Sequence, residues 1–527
     1  MKVNGPRAAT SRRGRPTTLI RSGPFLYRAN VPPLRHAGTG SLHRAALPGC
    51  SRRDPRPRLR ETASAARGSA APPPPAPRPQ RRRPPDKRPA MSSAAANVAV
   101  IGGGISGAVC ASLLAARGVA VTLFDSGRGA GGRMSRRRVG MEDGTELHFD
   151  HGAPYFTVTN DEVHRVVNGW EARGIVAEWK ATFACFDLAT GKFTDFEKEG
   201  TTKKYVGVPG MNSICKSLCL EDGVVAKFGV TVGKMDWLQD RSSWSLASLD
   251  GKDLGNFDYV VATDKNVASP RFAGLTGKPP PLDLSLFPQL SVMVQDIPVR
   301  PCFALMVAFS EPLAMVPVHG FSFNNSDSLS WAFCDSSKPG RACAPPNRQS
   351  WVLHSTTEYA SKVINNIGLR KPSADALAKV AEELFSEFQA TGLSIPQPIF
   401  MKAHRWSSAF PAIAIGGDDK CVWDKSIKLA ICGDFCASPS VEGAVLSAVR
   451  GASKILGCLN YPSGLLMESK AAARRQGNSM GEQCRPDSEL QSCLLRVRTE
   501  EWWWCGGYGP KDGAATLAPA ALLACKL

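Results

Sequence analysis

The pattern of apolar and polar positions predicts that regular structure begins at residue 97. Residues 97–101 (NVAVI) form a short run of apolar and β-branched side chains, which is typical of a buried parallel strand. Apolar residues then recur at helical spacing over 108–117, and residues 119–124 (VAVTLF) indicate a second buried strand. The order strand, helix, strand predicts an α/β fold built around a parallel sheet.

The same criteria predict further elements along the chain. Residues 373–391 place a stripe of apolar side chains on one face of a helix, which indicates core packing. The stripe consists of Leu377, Val380, Ala381, Leu384, Phe385 and Phe388. Further strands are predicted at 230–232, 258–262, 302–309, 351–356 and 428–431, a turn at 206–212 leads into a helix, and another helix runs from 443 to 456.

A glycine-rich loop joins the first predicted strand to the first predicted helix. Its sequence, 102–107 (GGGISG), matches the pattern GxGxxG. Gly102 permits a tight turn, Gly104 lets the backbone approach a pyrophosphate, and Gly107 lets the helix pack against the strand. The N–H groups of the first helical turn would then face the anion.

The uncharged run from Met91 to Ala116 allows a different interpretation, because a run of this length could cross a bilayer. Four glycines in six residues, and the order strand, turn, helix, strand, argue against that interpretation. Asp125 ends the second strand 23 residues after Gly102, about the offset at which a carboxylate accepts from a ribose hydroxyl. We therefore predict a dinucleotide-binding loop and no transmembrane span.

A second glycine and arginine element, 128–135 (RGAGGRMS), follows Asp125 directly. It resembles the GG motif of the FAD-dependent amine oxidase superfamily, and a nicotinamide-binding Rossmann domain does not need it. The resemblance implies that Gly132 lies close to the cofactor and that Arg133 places a cation near the pyrophosphate. A basic surface loop is the alternative, since Arg136–Arg138 continue the charge.

Two later segments extend the resemblance. Residues 149–156 (FDHGAPYF) resemble the segment that passes beside the flavin in this superfamily. Residues 428–444, a strand followed by CGDF and a helix start, resemble its C-terminal FAD motif. The resemblance implies that Asp434 binds a ribityl or pyrophosphate-side oxygen. It also implies that the positive end of the helix at Gly443 faces the N1–C2=O region of the flavin.

Within the superfamily, the chain resembles the renalase-like proteins over residues 97–458. The resemblance rests on three features: GGRM at 131–134, the compact span between 97 and 456, and His404-Arg405-Trp406 before the last strand. The resemblance implies an FAD-dependent oxidoreductase that accepts a hydride onto flavin N5 from a small dihydronicotinamide-type or amine substrate and is reoxidised by O2. It implies noncovalent FAD, since Cys436 is displaced from the position used for covalent attachment.

The resemblance also implies the site residues. Tyr155, His404, Arg405 and Trp406 are the candidate catalytic residues, with Trp406 walling the cavity opposite the ring and Arg405 holding an anionic substrate group. A structural histidine and an interdomain tryptophan are the alternatives for His404 and Trp406. The predicted cofactor-binding residues are Gly102, Gly104, Ile105, Ser106, Gly107, Asp125, Ser126, Gly132, Arg133, Met134, Gly152, Ala153, Val232, Gly433, Asp434, Glu442, Gly443 and Ala444.

The expected architecture is a discontinuous Rossmann-like FAD-binding domain and an α+β substrate domain with an antiparallel or mixed sheet. We assign 97–159, 205–267 and 425–459 to the first, and 160–204 and 268–424 to the second. No HxH or HExxH pattern occurs and the 16 cysteines form no CxxC pair, so no metal site is expected.

The basic charge is concentrated at the N-terminus. The net charge is +19, but residues 1–90 contain 21 Lys and Arg against three acids, and the rest carries only +1. A nucleic-acid partner is therefore not expected. The Arg-rich, acid-poor composition of 1–90 indicates a chloroplast transit peptide. A disordered arm, or a leader upstream of a start at Met91 with a cytoplasmic protein, is the alternative. Residues 461–527 lack periodicity and are expected to be a disordered tail.

Two other functions compete with the flavoenzyme. A nicotinamide-dependent dehydrogenase would use the first glycine loop but leave the 131–133 and 433–443 motifs without a role. A non-enzymatic protein that binds FAD while acting as an assembly or interaction factor would keep all the motifs, because a fold does not fix a function.

Overall fold

The computed structural model describes residues 96–197, 202–294, 297–341 and 347–461. The predicted basic arm at 1–90 and residues 462–527 of the predicted tail lie outside them. The strands of the described residues are β1 (Asn97–Ile101), β2 (Ala120–Asp125), β3 (Arg136–Gly140), β4 (Glu146–Asp150), β5 (Val176–Glu178), β6 (Phe183–Asp187), β7 (Lys192–Thr194), β8 (Tyr205–Gly207), β9 (Val224–Phe228), β10 (Val232–Leu238), β11 (Ser243–Ser248), β12 (Asp253–Phe257), β13 (Tyr259–Ala262), β14 (Val299–Phe309), β15 (Gly320–Asn324), β16 (Leu329–Cys334), β17 (Gln349–Ser355), β18 (Phe400–Pro411), β19 (Val422–Asp424) and β20 (Leu429–Ile431). The α-helices are α1 (Ile105–Ala115), α2 (Asp161–Ala172), α3 (Asn212–Cys219), α4 (Arg271–Thr276), α5 (Pro288–Val294), α6 (Thr357–Ile367), α7 (Ala374–Gln389) and α8 (Val441–Cys458).

A six-stranded sheet of order β19-β20-β13-β1-β2-β9 forms the Rossmann-like part of the fold. Its strands are parallel except for the edge pair β19 and β20. Helices α1 and α8 pack together on one face. Because this sheet is covered on both faces, β1 and β13 are continuously apolar. The predicted α/β class with a Rossmann-like sheet is confirmed.

A seven-stranded sheet of order β18-β14-β17-β16-β15-β6-β7 forms the second layer. It is mixed, since β15 pairs with β6 in parallel and the other pairs are antiparallel. Helices α6 and α7 cover one face, and Leu384 and Phe388 of α7 lie in that core as predicted. The hairpin of β3 and β4 packs near the other face through Leu147 and Phe149.

Several predicted elements shift at their ends. Helix α1 begins at Ile105, three residues before the predicted start, because the chain turns directly from Gly104 into the helix. The strand predicted at 230–232 is wrong: Val230 lies in the connection between β9 and β10, where its N–H donates to the carbonyl of Asp125, and β10 only begins at Val232. Helix α8 begins at Val441 because Ser440 caps it.

The division into domain segments stays a prediction. The six-stranded sheet draws its strands from 97–125, 224–262 and 422–431, so its edge strand β19 begins three residues before the predicted boundary at 425. A three-stranded antiparallel sheet (β10-β11-β12) packs beside it. Among the helices of the described ranges, none is both long and apolar enough to cross a membrane.

Candidate active site and cofactor cavity

A cavity of about 1050 Å³ opens at the carboxyl ends of the parallel strands. Gly102 follows β1, Asp125 ends β2, Thr263 follows β13 and Gly433 follows β20, and all four line it. The carboxyl edge of such a sheet is where α/β folds bind ligands. The seven-stranded sheet supplies the opposite wall through Trp406 and its neighbours on β18.

Sixteen of the residues predicted from sequence line this cavity. They are Gly102, Gly104, Ile105, Ser106, Asp125, Ser126, Gly132, Arg133, Met134, Ala153, Val232, His404, Trp406, Gly433, Asp434 and Ala444. The fold thus brings together motifs from both ends of the described chain.

The glycine loop presents an uncapped helix end to the cavity. Gly104 precedes α1, and no side chain caps the first turn. A Cβ at Gly104 would meet nothing within 4 Å, so the space beside it is open. A Cβ at Gly107 would lie 1.8 Å from the carbonyl oxygen of Gly102, which shows how closely the helix packs on the strand. This end of α1 is therefore suited to an anion.

Asp125 is held against the same loop. Its carboxylate accepts from the N–H of Gly103 at 2.5 Å and from the N–H of Gly127 at 2.6 Å. Burial raises the pKa of Asp125 above its ordinary value, although both N–H groups act against that shift. The carboxylate is oriented at the end of β2, where a ribose hydroxyl can donate to it.

Arg133 and Asp434 join the two glycine motifs directly. Two guanidinium nitrogens of Arg133 each donate to a carboxylate oxygen of Asp434 at 2.6 Å, and Nη1 also donates to the carbonyl of Ala409 at 2.9 Å. Lys265 lies beside this pair, and burial together with Arg133 lowers the pKa of Lys265 to about 8.

Two histidines and a tryptophan form the opposite wall. The indole N–H of Trp406 donates to the carbonyl of His151 at 2.9 Å. The rings of His151 and His404 lie 4.7 Å apart, and those of His404 and Trp406 lie 4.5 Å apart. Burial and the neighbouring His404 lower the pKa of His151 to about 3, and burial and Arg137 lower the pKa of His404 to about 4. Both imidazoles are therefore neutral near pH 7.

Four predicted cofactor-binding residues do not line the cavity: Gly107, Gly152, Glu442 and Gly443. The two glycines Gly107 and Gly152 serve close backbone packing, since a Cβ at Gly152 would lie 1.8 Å from the carbonyl oxygen of Arg133. A Cβ at Gly443 would likewise lie 2.3 Å from the hydroxyl oxygen of Ser438. Glu442 instead accepts from the N–H groups of Thr159 and Asn160, because Ser440 already caps α8.

Two predicted catalytic residues also lie elsewhere. The ring of Tyr155 is buried among Trp179, Phe183 and Phe333, with centroids 5.2 to 6.0 Å away. The guanidinium of Arg405 donates to three carbonyls of residues 368–370, in the loop that follows α6. Side chains on a strand alternate between its two faces, so Arg405 points away from the face that carries His404 and Trp406. It is not placed to hold a substrate anion in this cavity.

Sequence reasoning missed several cavity residues. Arg136–Arg138 line the wall, although the arginine run was weighed as a surface loop. Residues 263–267 and Arg271 line it as well, and their position after the predicted strand 258–262 was the available signal. His151 also lines the wall, inside a segment in which we expected its neighbours to bind the cofactor.

The residues present fit FAD. The uncapped end of α1 and the guanidinium of Arg133 suit a pyrophosphate, and Asp125 suits a ribose. Four buried polar atoms of cavity residues have no hydrogen-bond partner within the described protein: Arg136 Nε, His151 Nδ1, Asn266 Oδ1 and Ser408 Oγ. Such atoms are rare in native proteins unless a ligand or water meets them.

Comparison with known proteins decides the family. Residues 161–456 match the family of flavin containing amine oxidoreductases, and residues 100–170 match the NAD(P)-binding Rossmann-like domain. The chain belongs to the flavin-containing amine oxidoreductase family. Its cofactor is FAD, as the sequence motifs predicted. Family membership argues against the nicotinamide-dependent dehydrogenase, and so do the motifs at 131–133 and 433–443, which that function would leave without a role.

Solved structures share the fold at low sequence identity. Reduced UDP-galactopyranose mutase aligns with a TM-score of 0.50 and 11% identity, covering 71% of this chain and 98% of that chain. A protein from Exiguobacterium sp. 255-15 assigned as a protoporphyrinogen oxidase gives 0.49 and 12%, covering 69% and 99%. Putrescine oxidase bound to putrescine gives 0.48 and 11%, with the same coverages. At these identities the likeness concerns the fold alone.

One curated relative matches over a short segment. The carotenoid phi-ring synthase of Streptomyces griseus is 49% identical over 55 residues, which is 10% of this chain. The match spans only 11% of the length of that relative. It therefore says nothing about the substrate of this chain.

Proposed function

We propose that this protein is an FAD-dependent oxidoreductase that takes a hydride from a small dihydronicotinamide-type substrate and passes electrons to O2. The FAD is held noncovalently. The observation that carries the choice of substrate is the charge of the cavity wall. Arginines 136, 137, 138 and 271 line it, whereas each carboxylate that lines it is already engaged within the protein.

The three cavity carboxylates have separate partners. Asp125 accepts from backbone N–H groups, Asp434 pairs with Arg133, and Asp264 accepts from the N–H of Asn266 at 3.0 Å. Asp125 and Asp434 are thus occupied within the protein, and Asp264 is an exposed residue that caps the turn at Asn266. An ammonium would also be repelled by the arginines, since like charges disfavour binding. A neutral ring that carries phosphate suits the wall better.

When bound, FAD supplies the two-electron acceptor for the substrate. The protein's own residues bind and orient. The neutral imidazoles of His151 and His404 can exchange hydrogen bonds with an uncharged carboxamide. Trp406 closes the wall, and its N–H bond to the His151 carbonyl fixes both groups relative to each other. These contacts supply proximity and orientation.

Amine oxidation is the second candidate, and the family match supports it. The two are separated by supplying the full-length holoprotein with dihydronicotinamide dinucleotide isomers and with a panel of primary and secondary amines. We expect O2 consumption and hydrogen peroxide formation with dihydronicotinamides only. Turnover of amines alone would favour the second candidate. Bound FAD that no substrate in either panel reduces would favour the non-enzymatic interaction factor.

We also propose that residues 1–90 direct the chain to the chloroplast, on the basis of their composition. Fusions of 1–90 and of the chain from Met91 to a fluorescent protein test this. Plastid fluorescence that requires 1–90 is expected. Cytoplasmic fluorescence from both fusions would instead favour a start at Met91.

A further inference from the structure

Arg137 is a cation on the cavity wall whose guanidinium has no hydrogen-bond or ion-pair partner among the described residues. Arg137 lies on β3 opposite Phe149 of β4 and lines the cavity with His151 and His404. Its charge contributes to lowering the pKa of both histidines, so its guanidinium lies near them.

The neighbouring arginines differ from Arg137 in this respect. Arg133 is paired with Asp434, Arg271 donates to the carbonyl of Ser407 at 3.0 Å, and Arg405 donates to three loop carbonyls. Arg136 lies near the buried acids Asp150 and Asp335. Arg138 is exposed to solvent, where water satisfies a guanidinium. Arg137 is half-buried on the wall beside His151 and His404, and it has neither a carboxylate nor a carbonyl partner among the described residues.

We infer that Arg137 is a specificity-determining residue that binds an anionic group, a phosphate or a carboxylate, of the substrate beside His151 and His404. This inference rests on the proposed function, which it deepens. A guanidinium presents a planar pair of N–H donors that match both anions in two-pronged fashion. A cation that is partly removed from water gains most from such a partner. Arg137 thus takes the role that the sequence suggested for Arg405.

The position of Arg137 favours the substrate over the cofactor as the source of the anion. The cofactor pyrophosphate is expected at the end of α1, and Gly131 is tied to that loop by a bond of its N–H to the carbonyl of Gly103 at 2.9 Å. From Gly131 the chain continues through Arg133 into β3, which pairs with β4. Arg137 therefore lies at the side of the cavity where the two histidines of the opposite wall meet.

The test compares three reduced substrates that differ only in phosphate: a dihydronicotinamide dinucleotide, its mononucleotide and its nucleoside. The variants are Arg137→Gln, Arg137→Lys and Arg405→Gln, the last as a control that removes a cation outside the cavity. Steady-state O2 consumption gives kcat/KM, and titration of flavin absorbance gives Kd for the oxidised mononucleotide and nucleoside. The Kd for FAD is measured for every variant.

We expect Arg137→Gln to lower kcat/KM and raise Kd about 10- to 100-fold for the phosphate-bearing compounds, as loss of a charged hydrogen bond does. The nucleoside should be unaffected, Arg137→Lys should recover part of the loss, and Arg405→Gln should match wild type. The Kd for FAD should not change.

Other outcomes overturn the inference. Equal losses with all three compounds would assign Arg137 a structural role. A change in the Kd for FAD alone would assign the anion to the cofactor. A wild-type protein that binds the mononucleotide no better than the nucleoside has no anion subsite. Failure of the proposed function is distinct, because it would appear as flavin reduction by amines and by none of the three compounds.

Discussion

Arg133 and Asp434, 301 residues apart in sequence, form a two-pronged ion pair at the cavity with both N–O distances at 2.6 Å. The side chain of Asp434 is 3% exposed and that of Arg133 is 31% exposed. The pair fastens the GG motif after β2 to the CGDF motif after β20. We therefore predict that FAD binding and the packing of these motifs are coupled through this contact.

A double-mutant cycle on this pair tests that coupling. Asp434→Asn and Arg133→Met should each raise the Kd for FAD by tenfold or more, because each leaves a cavity charge or amide without its partner. The loss of FAD binding free energy in the double variant should be smaller than the sum of the two single losses, with a coupling energy of about 2 kcal/mol. Isothermal titration of the apoproteins with FAD gives the four affinities. Additive losses would mean that the two side chains act on FAD independently.

Gly104→Ala separates the cofactor role of the loop from its folding role. The added methyl group meets no protein atom, so the free energy of unfolding of the apoprotein should change by less than about 1 kcal/mol. It occupies space that we assign to the pyrophosphate, so FAD affinity should fall at least tenfold. Urea unfolding and FAD titration measure the two effects.

The matched control for this variant is Gly169→Ala. Gly169 is exposed on α2, where a Cβ also meets nothing. It should keep FAD affinity and gain up to about 1 kcal/mol of stability from better helix propensity. An unchanged FAD affinity in Gly104→Ala would place the pyrophosphate elsewhere.

The sequence was sufficient for the parts of the site that are set by backbone geometry. Gly102, Gly104 and Asp125 follow from a strand, a turn and a helix that are local in sequence, and all three line the cavity. Glu442 could not be placed in the same way. It was predicted to bind the cofactor, but its carboxylate accepts from the N–H groups of Thr159 and Asn160, a contact that only the tertiary fold creates.

Two buried histidines, His151 and His354, make the free energy of unfolding depend on pH. Burial lowers the pKa of His151 to about 3 and that of His354 to about 4, and both side chains are buried. Between pH 6.5 and 5 the unfolded chain therefore binds protons that the folded protein does not. Stability should fall with decreasing pH, by about 2 kcal/mol per histidine at pH 5.

His354→Asn checks the size of this effect. It should reduce the loss of unfolding free energy between pH 7 and pH 5 by about 2 kcal/mol, measured by urea unfolding at each pH. His164→Asn on α2 is the control and should retain the wild-type dependence. A wild-type stability that is constant over this range would mean that these histidines are protonated in the folded protein.

Trp406→Phe tests the opposite wall. The substitution keeps an aromatic ring but removes the indole N–H that bonds the carbonyl of His151. We expect the rate of flavin reduction to fall about tenfold, as loss of one positioning hydrogen bond does, with little change in FAD affinity. Rapid-mixing reduction and FAD titration separate the two. A normal reduction rate would make Trp406 a packing residue between the two sheets.

Only some residues of the wall formed by β18 and its neighbours could be predicted from the sequence. His404 and Trp406 were predicted from the resemblance to the renalase-like proteins, and they share a face because they are two residues apart on β18. Arg405 lies between them, so the same alternation turns it toward the loop at 368–370. Arg137 was not predicted as a site residue. It lies near the histidines because β3 pairs with β4, and that pairing is not evident from the sequence.

The central claim is the identity of the electron donor, and a single anaerobic experiment addresses it most directly. The full-length holoprotein is mixed with one equivalent of a dihydronicotinamide dinucleotide, or of an amine, and the oxidised flavin band is followed. Rapid and complete bleaching by the dihydronicotinamide, with none by amines, is the predicted result. Bleaching by an amine while the dihydronicotinamides leave the band unchanged would contradict the proposed function.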